Sequence, residues 1–593
     1  MKIFYNIISL VLVLLIMLVI TTTVIAQIYP EDPETFFSPQ SVADKVYINA
    51  NVITVDKIHN CTKATAFAIK NGWFIYVGDE DGIQSYIGPG TLVFDLGGKT
   101  VIPGLHDSHM HYRLGARELY PQTPDIREEL GKWASVERMQ AVIKDCLATG
   151  KGIRIGKDGQ QWLVLSGWMS DVWDPPVFHR KLIDEVCPDI PVYITRYTHG
   201  SGCNTKALEL AGITKDTPDP EGGHIKKDEQ GEVTGEFVER APKQLLDLIP
   251  PAPPYTFYED ARNFVEGQHL ALKVGLTMIH EASQTSYNDA KKRLALYEGG
   301  IMLLRMNDMV SPEAAKQLGA PINYNNRYIN QTVKQLADGA MGSRGAWLLE
   351  EYSDYPGYFG EPRLTAEQIA ELGTGLIGIG YNLAIHAIGD AANRAVIDGY
   401  EKALDNTGAD PFKVRFRIEH CQTLTSGDIP RLAPLGIIAS MQPLHATEDM
   451  HFSPARLGPE RIKGAYIWRT LLDLGVVVSS GTDYSVSPYN PFYTIHAAVT
   501  RQDRNNNPSG GWYKEQAMTR EEALWSATWG GAYAAKMEDI YGSIEKGKLA
   551  DFVVIPVDIL DENEIADEDL WKIEVDMTVI GGEIAYKKPV VVK

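Results

Sequence analysis

The chain has 593 residues, of which 44% are apolar and 22% charged. That balance belongs to a globular protein with a large core and excludes a disordered chain. The formal net charge of −21 argues against nucleic acid as a partner, because phosphate binding needs a basic face.

The chain opens on a targeting segment. Lys2 precedes the uncharged run "IISLVLVLLIMLVITTTVIA", and Val24 and Ala26 form a small-residue pattern suited to cleavage before Gln27. Residues 1–26 therefore read as a signal peptide or, given the length of the run, as an uncleaved membrane anchor. Either reading puts the protein outside the cytoplasm, secreted or periplasmic, and only the anchor makes the membrane a partner. Residues 27–43, polar and proline-containing, read as a linker. Short β-type runs come next over 44–103, with Asn71-Gly72 as a hairpin signal. Similar runs fill 538–593 around Gly581-Gly582. Two strand sets at opposite ends of a chain predict one discontinuous β-sandwich.

Between them, residues 104–537 alternate apolar runs with helix-like segments, the pattern of a parallel α/β barrel. After the run around His109 come "GLTMIHEA", "MLLRMNDM", "TVKQLADG", "NLAIHAIG", "RFRIEHCQ", "GIIASMQP" and "GVVVSSGTD". Together they supply the strands of a (β/α)8 TIM barrel. The stretch of about 117–265 is too long for one connection and reads as an inserted subdomain over the barrel mouth. Its Trp162, Trp168 and Trp173 suggest an apolar or aromatic substrate, with core packing as the alternative. The five cysteines form no C-x-x-C and leave at least one thiol unpaired. Asn60 and Asn330 stand in glycosylation sequons.

His109 and His111, two apart on one strand, share a face and suit one metal ion. His386 and His420 end apolar runs about one βα unit apart and suit a second ion. Asp483, after the last run, is placed to touch metal and to act as general base. Lys334 is the sixth candidate: protonated it repels cations, whereas as a carbamate it offers two oxygens that bridge metals. An ion pair with Asp338 is the alternative for Lys334. The divalent metal expected at a histidine-rich site is zinc, one or two ions per chain, with iron or manganese open.

In order and wording, "VIPGLHDSHMH", "VKQLADGAMGSRGA", "HAIGD", "RIEHCQ", "SMQP" and the strand-eight Asp483 resemble the metal-dependent amidohydrolase superfamily. More narrowly, they resemble amidohydrolase family 3 and its N-substituted formamide deformylase-like branch. Motifs of the insertion, "LSGWMSDVWDPP" and "GEVTGEFVERA" among them, match as well. The resemblance implies a urease-like barrel with a flanking sandwich. It also implies a metal shell of His109, His111, Lys334, His386, His420 and Asp483. It implies hydrolysis of a C–N bond in a small-molecule amide by a metal-activated hydroxide. A deaminase, a cyclic-amide hydrolase and a non-catalytic scaffold stay open as alternatives, as does oligomer formation. His199, Asn204, Glu239, Arg344 and Gln442 are candidate substrate contacts, each with an internal hydrogen bond as its rival. His280, His445 and His451 lie near strand ends.

Overall fold

The computed structural model describes residues 41–117, 119, 123–127, 134–156, 159–169, 173, 177–196 and 200–589. The leader, most of the linker and His199 lie outside them. Among the described residues, no helix is long and apolar enough to cross a membrane.

Eight parallel strands form the barrel. They are β1 (Leu105–Met110), β2 (Leu276–Thr285), β3 (Arg305–Val310), β4 (Thr332–Leu336), β5 (Asn382–Ala387), β6 (Arg417–His420), β7 (Ile438–Met441) and β8 (Val478–Ser480). Each pairs in parallel register with the next, from β1 to β8. They are the eight runs read from the sequence. Most of these strands are buried along their whole length, as strands covered on both faces are. Four helices border cavities at the barrel: α1 (Tyr112–Arg117) after β1, α2 (Phe257–Lys273) before β2, α3 (Tyr287–Glu298) after it, and α4 (Pro443–Asp449) after β7.

The seam between β8 and β1 is closed by the Asp107 side chain and by backbone hydrogen bonds. Thr482 donates its backbone N–H (3.0 Å) and its hydroxyl (2.5 Å) to the Asp107 carboxylate, and Asp483 N–H donates to the His109 carbonyl at 2.7 Å. Asp107 is 1% exposed, and burial pushes its carboxyl up to about 7.

The N-terminal and C-terminal strand sets build two sheets, and they pair with each other in the six-stranded one. Phe552–Ile555 pairs antiparallel with Thr100–Pro103. Asn71-Gly72 and Gly581-Gly582 make tight turns in which all four residues have positive φ. Tyr47, Phe67, Phe74 and Phe552 pack between the sheets, Tyr47 and Phe67 stacked and Phe552 edge-on to both.

The insertion is a six-stranded sheet with Val192–Arg196 and Gln161–Trp168 among its inner strands. Its tryptophans correct the aromatic-substrate expectation. Trp168 and Trp173 pack with Phe178 in the core of the insertion, and Trp162 fills a second core. The indole N–H groups of Trp168 and Trp173 donate to the carbonyls of Ile194 and Ala134. All five cysteines are free thiols. Asn330 is fully buried and accepts from Ile322 N–H, so its sequon is inaccessible in the folded chain.

Because Phe552 joins the two terminal segments, Phe552→Ala should cost about 3–5 kcal/mol, measured as a shift in the denaturant midpoint. A loss under about 1 kcal/mol would contradict the role given to this cluster.

Candidate metal centre

The six predicted ligands come from five strand ends on one face of the barrel. His109, His420 and Asp483 each offer a ligand atom within 4.8 Å of the others. His109 Nε2 lies 3.5 Å from Asp483 Oδ1 and 3.5 Å from Lys334 Nζ. His111 Nε2 comes within 3.2 Å of the same Asp483 oxygen, and its Nδ1 is 2.9 Å from Ser283 Oγ. His386 packs its ring 4.5 Å from that of His420. Its Nε2, however, is turned toward Gly339 O and Asp338 Oδ1, at 3.4 Å from each.

Strand alternation alone does not produce this convergence. Glu419 and His420 are neighbours, so an extended strand sends them to opposite faces. His420 adopts φ 69 and Asp483 φ 55, left-handed conformations that cost a non-glycine residue about 1–3 kcal/mol each. At the end of β6 this bend lets both side chains reach His109. Glu419 Oε2 is 2.5 Å from His109 Nδ1, and the His420 ring is 4.9 Å from that of His109.

The electrostatics favour metal ligation. Burial lowers the imidazole of His109 to about 4, with Lys334 acting in the same direction, so the ring is neutral. Because Glu419 is an acceptor, Nδ1 carries the proton and Nε2 keeps its lone pair toward Asp483 and Lys334. Burial tends to raise the Asp483 carboxyl, yet the imidazoles of His111, His109 and His420 hold it well below the usual carboxylate range. His420 is driven to the neutral form by burial and by the neighbouring His386 and His109. His420 Nδ1 and Asp483 Oδ1 are buried and make no hydrogen bond among the described residues. Buried polar atoms without partners, drawn from imidazole and carboxylate, fit a divalent ion.

Lys334 is 2% exposed. Burial lowers its amine from the usual lysine value, while Glu419 and Asp483 pull the other way. The alternative ion pair with Asp338 does not form. That carboxylate instead accepts from the N–H groups of Trp347, Ile388 and Gly389, pinning the loop after β4 to the end of β5.

The substrate candidates fare differently. Asn204 is fully buried and caps the helix Thr205–Ala211. Its oxygen accepts from Val192 and Ala207 N–H, and its amide donates to the Cys187 and Ile190 carbonyls, which leaves nothing for a substrate. Arg344 pairs with Asp354. Glu239 pairs with Arg363 and lies against Gly339 and Gly345, behind the loop after β4. Gln442 donates to Ser440 O. None of these four lines the cavity at the site. His280 accepts from Arg417 in the barrel interior, and His451 is exposed.

The cavity, of about 80 Å3, is lined by His386, His420 and Asp483 together with residues outside the predicted set of contacts. His445 on α4 stacks on His420 at 5.7 Å and holds Nε2 3.7 Å from Asp483 Oδ2. Glu448, nearly one turn further along α4, accepts from the Ser487 hydroxyl, and burial pushes its carboxyl up to about 7. Arg196 and Met169 enter from the insertion.

Comparison with known proteins places the chain in a family. The amidohydrolase family profile matches residues 92–586, and the chain belongs to that family. It is 30% identical to the putative amidohydrolase YtcJ of Bacillus subtilis over 88% of this chain and 99% of that one. It is 28% identical to an N-substituted formamide deformylase of Arthrobacter pascens over 92% of this chain and 98% of the relative. An uncharacterized metal-dependent hydrolase of Pyrococcus furiosus superposes with a TM-score of 0.64 at 26% identity, covering 87% of this chain and 100% of its own.

Glu419→Gln should weaken metal binding about 10–100-fold, read by competition with a chelator, because the His109 ring loses its anchor. Asn204→Ala should instead cost about 1–2 kcal/mol of stability and leave metal affinity unchanged. Equal metal affinity in Glu419→Gln and wild type would contradict the anchoring.

Proposed function

We propose that this chain is an exported metal-dependent hydrolase of amide-type C–N bonds, acting on N-substituted formamides or related small amides. The observation that carries the reading is the convergence of His109, His420 and Asp483 within 4.8 Å beside a buried Lys334. The leader read from residues 1–26 motivates the exported location, and the deformylase relative motivates the substrate class.

His109, His111, His386 and His420 would hold the metal, with Asp483 and a carboxylated Lys334 completing the shell. Zinc is the expected ion for such a donor set. When bound, a divalent ion supplies Lewis acidity that polarises a carbonyl and lowers the pKa of water toward neutrality.

The chain's own groups do the rest. Burial favours the neutral amine of Lys334, the form that adds carbon dioxide and releases one proton to give a carbamate. Asp483 is ionised, so it accepts the proton of the attacking water and returns it to the departing nitrogen. His445 faces the cavity with a nitrogen that makes no hydrogen bond among the described residues, and it is placed to donate to a substrate oxygen. The small cavity favours a compact acyl group such as formyl over a bulky one.

The test is formate release from N-alkyl and N-aryl formamides by metal-replete protein, alongside a panel of larger amides. Turnover in wild type and its abolition in Asp483→Ala, with the fold intact, is the expected result. Full turnover in that variant would refute the general-base assignment. Lys334→Ala should lower metal content and recover partly with short carboxylic acids. Unchanged metal content in that variant would count against the carbamate.

A further inference from the structure

The cavity beside the metal centre has a wall that the hydrolytic chemistry above leaves unused. Three carboxyls line the cavity, those of Glu448, Asp449 and Asp483, against the one guanidinium of Arg196. Two of the three are engaged. Asp483 stands among His109, His111 and His420. Asp449 accepts from the Tyr466 hydroxyl at 2.6 Å and from the Gln422 amide at 3.2 Å. The Arg196 guanidinium lies 5.8 Å over the Trp168 ring of the insertion.

Glu448 is only half engaged. Its Oε2 accepts from the buried Ser487 hydroxyl at 2.6 Å. Its Oε1 makes no hydrogen bond among the described residues and is not sealed from solvent, the side chain being only partly buried. Among the described residues, no lysine or arginine forms an ion pair with this carboxyl. Burial pushes it up to about 7, as happens to a charge without a close partner. A cation entering the cavity supplies that partner through a charge-assisted hydrogen bond.

The reach is set by α4. His445 holds Nε2 3.7 Å from Asp483 Oδ2, at the reacting end. Glu448 follows three residues later on the same face, about 4.5 Å along the helix axis. A group about three methylenes beyond the nitrogen of an amide held at the metal centre spans such a gap. Met341, Phe452 and Val486 offer apolar surface to the methylenes. The volume of about 80 Å3 admits only a short chain.

We infer that Glu448 is a specificity-determining residue whose carboxylate receives a cationic group at the end of a short substituent on the departing nitrogen. The preferred substrates are then short amides with an amino or guanidino tail. That assignment of substrate rests on the hydrolase reading above, whereas the cation pocket itself does not.

Two measurements on metal-replete protein test them separately. The first compares turnover of N-(3-aminopropyl)formamide and N-butylformamide, which differ only in an ammonium against a methyl group. The ratio of their kcat/KM values should favour the aminopropyl compound about tenfold or more, and should fall toward one in Glu448→Gln. The second is titration calorimetry with methylguanidinium, a cation that keeps its charge and offers no lone pair to a metal. It should bind wild type saturably and Glu448→Gln, checked for native circular dichroism, about tenfold or more weakly. Equal affinity in the two proteins would overturn the cation pocket. N-butylformamide turned over as fast as the aminopropyl compound would overturn the substrate assignment. An equal loss for both substrates in Glu448→Gln would also overturn it and make Glu448 a proton donor instead. Failure of both substrates, with methylguanidinium binding that depends on Glu448, would contradict the hydrolase reading and support the pocket.

Discussion

One buried guanidinium organises the interior of the barrel. Arg417, fully buried on β6, binds Glu419 through Nε at 2.8 Å and Nη2 at 3.2 Å. The same side chain donates to the Ser108 carbonyl on β1, to His280 Nδ1 on β2 and to Ser440 Oγ on β7. Four strands are thus tied by one planar fork of donors. An ion pair taken wholly out of water is weak evidence for stability, because desolvation offsets the attraction. Its worth here lies in position. With Arg417 beside it, Glu419 stays ionised and well below the usual carboxylate range, against the opposing effect of burial. That fixed charge sets the tautomer of His109, and the tautomer sets which nitrogen faces Lys334 and Asp483.

The same logic extends outward. Asp107 joins β1 to the loop after β8, holding Asp483 and His109 side by side. Asp338 ties the loop after β4 to the end of β5, the strands that carry Lys334 and His386. Buried carboxylates that accept backbone or imidazole N–H groups thus brace the strand ends that carry the candidate ligands. Such supports orient ligands to a fraction of an ångström, which loops alone do not achieve. The family's chemistry rests on this frame, while the insertion contributes Met169 and Arg196 to the cavity.

Much of this is legible in the sequence, and the reasons are physical. The eight barrel strands are readable because short runs with apolar residues recur between helix-like segments, although several also bury polar groups such as Asp107, Asn307 and Arg417. Asn71-Gly72 and Gly581-Gly582 announce their turns because both positions need positive φ. Asp483 and the four histidines stand out because a metal site would need such donors at strand ends, and the structure brings His109, His420 and Asp483 within 4.8 Å of one another. The supports are harder to see. Arg417 and Glu419 are two apart and so share a face, a charged pair inside an apolar strand, yet their partners lie on strands remote in sequence. Composition likewise cannot separate Trp168 as core from Trp168 as substrate wall. Only the donation of its indole N–H to Ile194 O decides that. Asn204 resembles a substrate contact for the same reason: an asparagine reads alike whether it meets a ligand or caps a helix.

The central claim is that one buried frame presents two sets of metal donors joined by Lys334. Elemental mass spectrometry on protein purified without added metal or chelator tests it most directly. The account predicts about two divalent ions per chain, as a bridged pair requires. A chain that holds about one ion, or none even after reconstitution with zinc, iron or manganese, would contradict it.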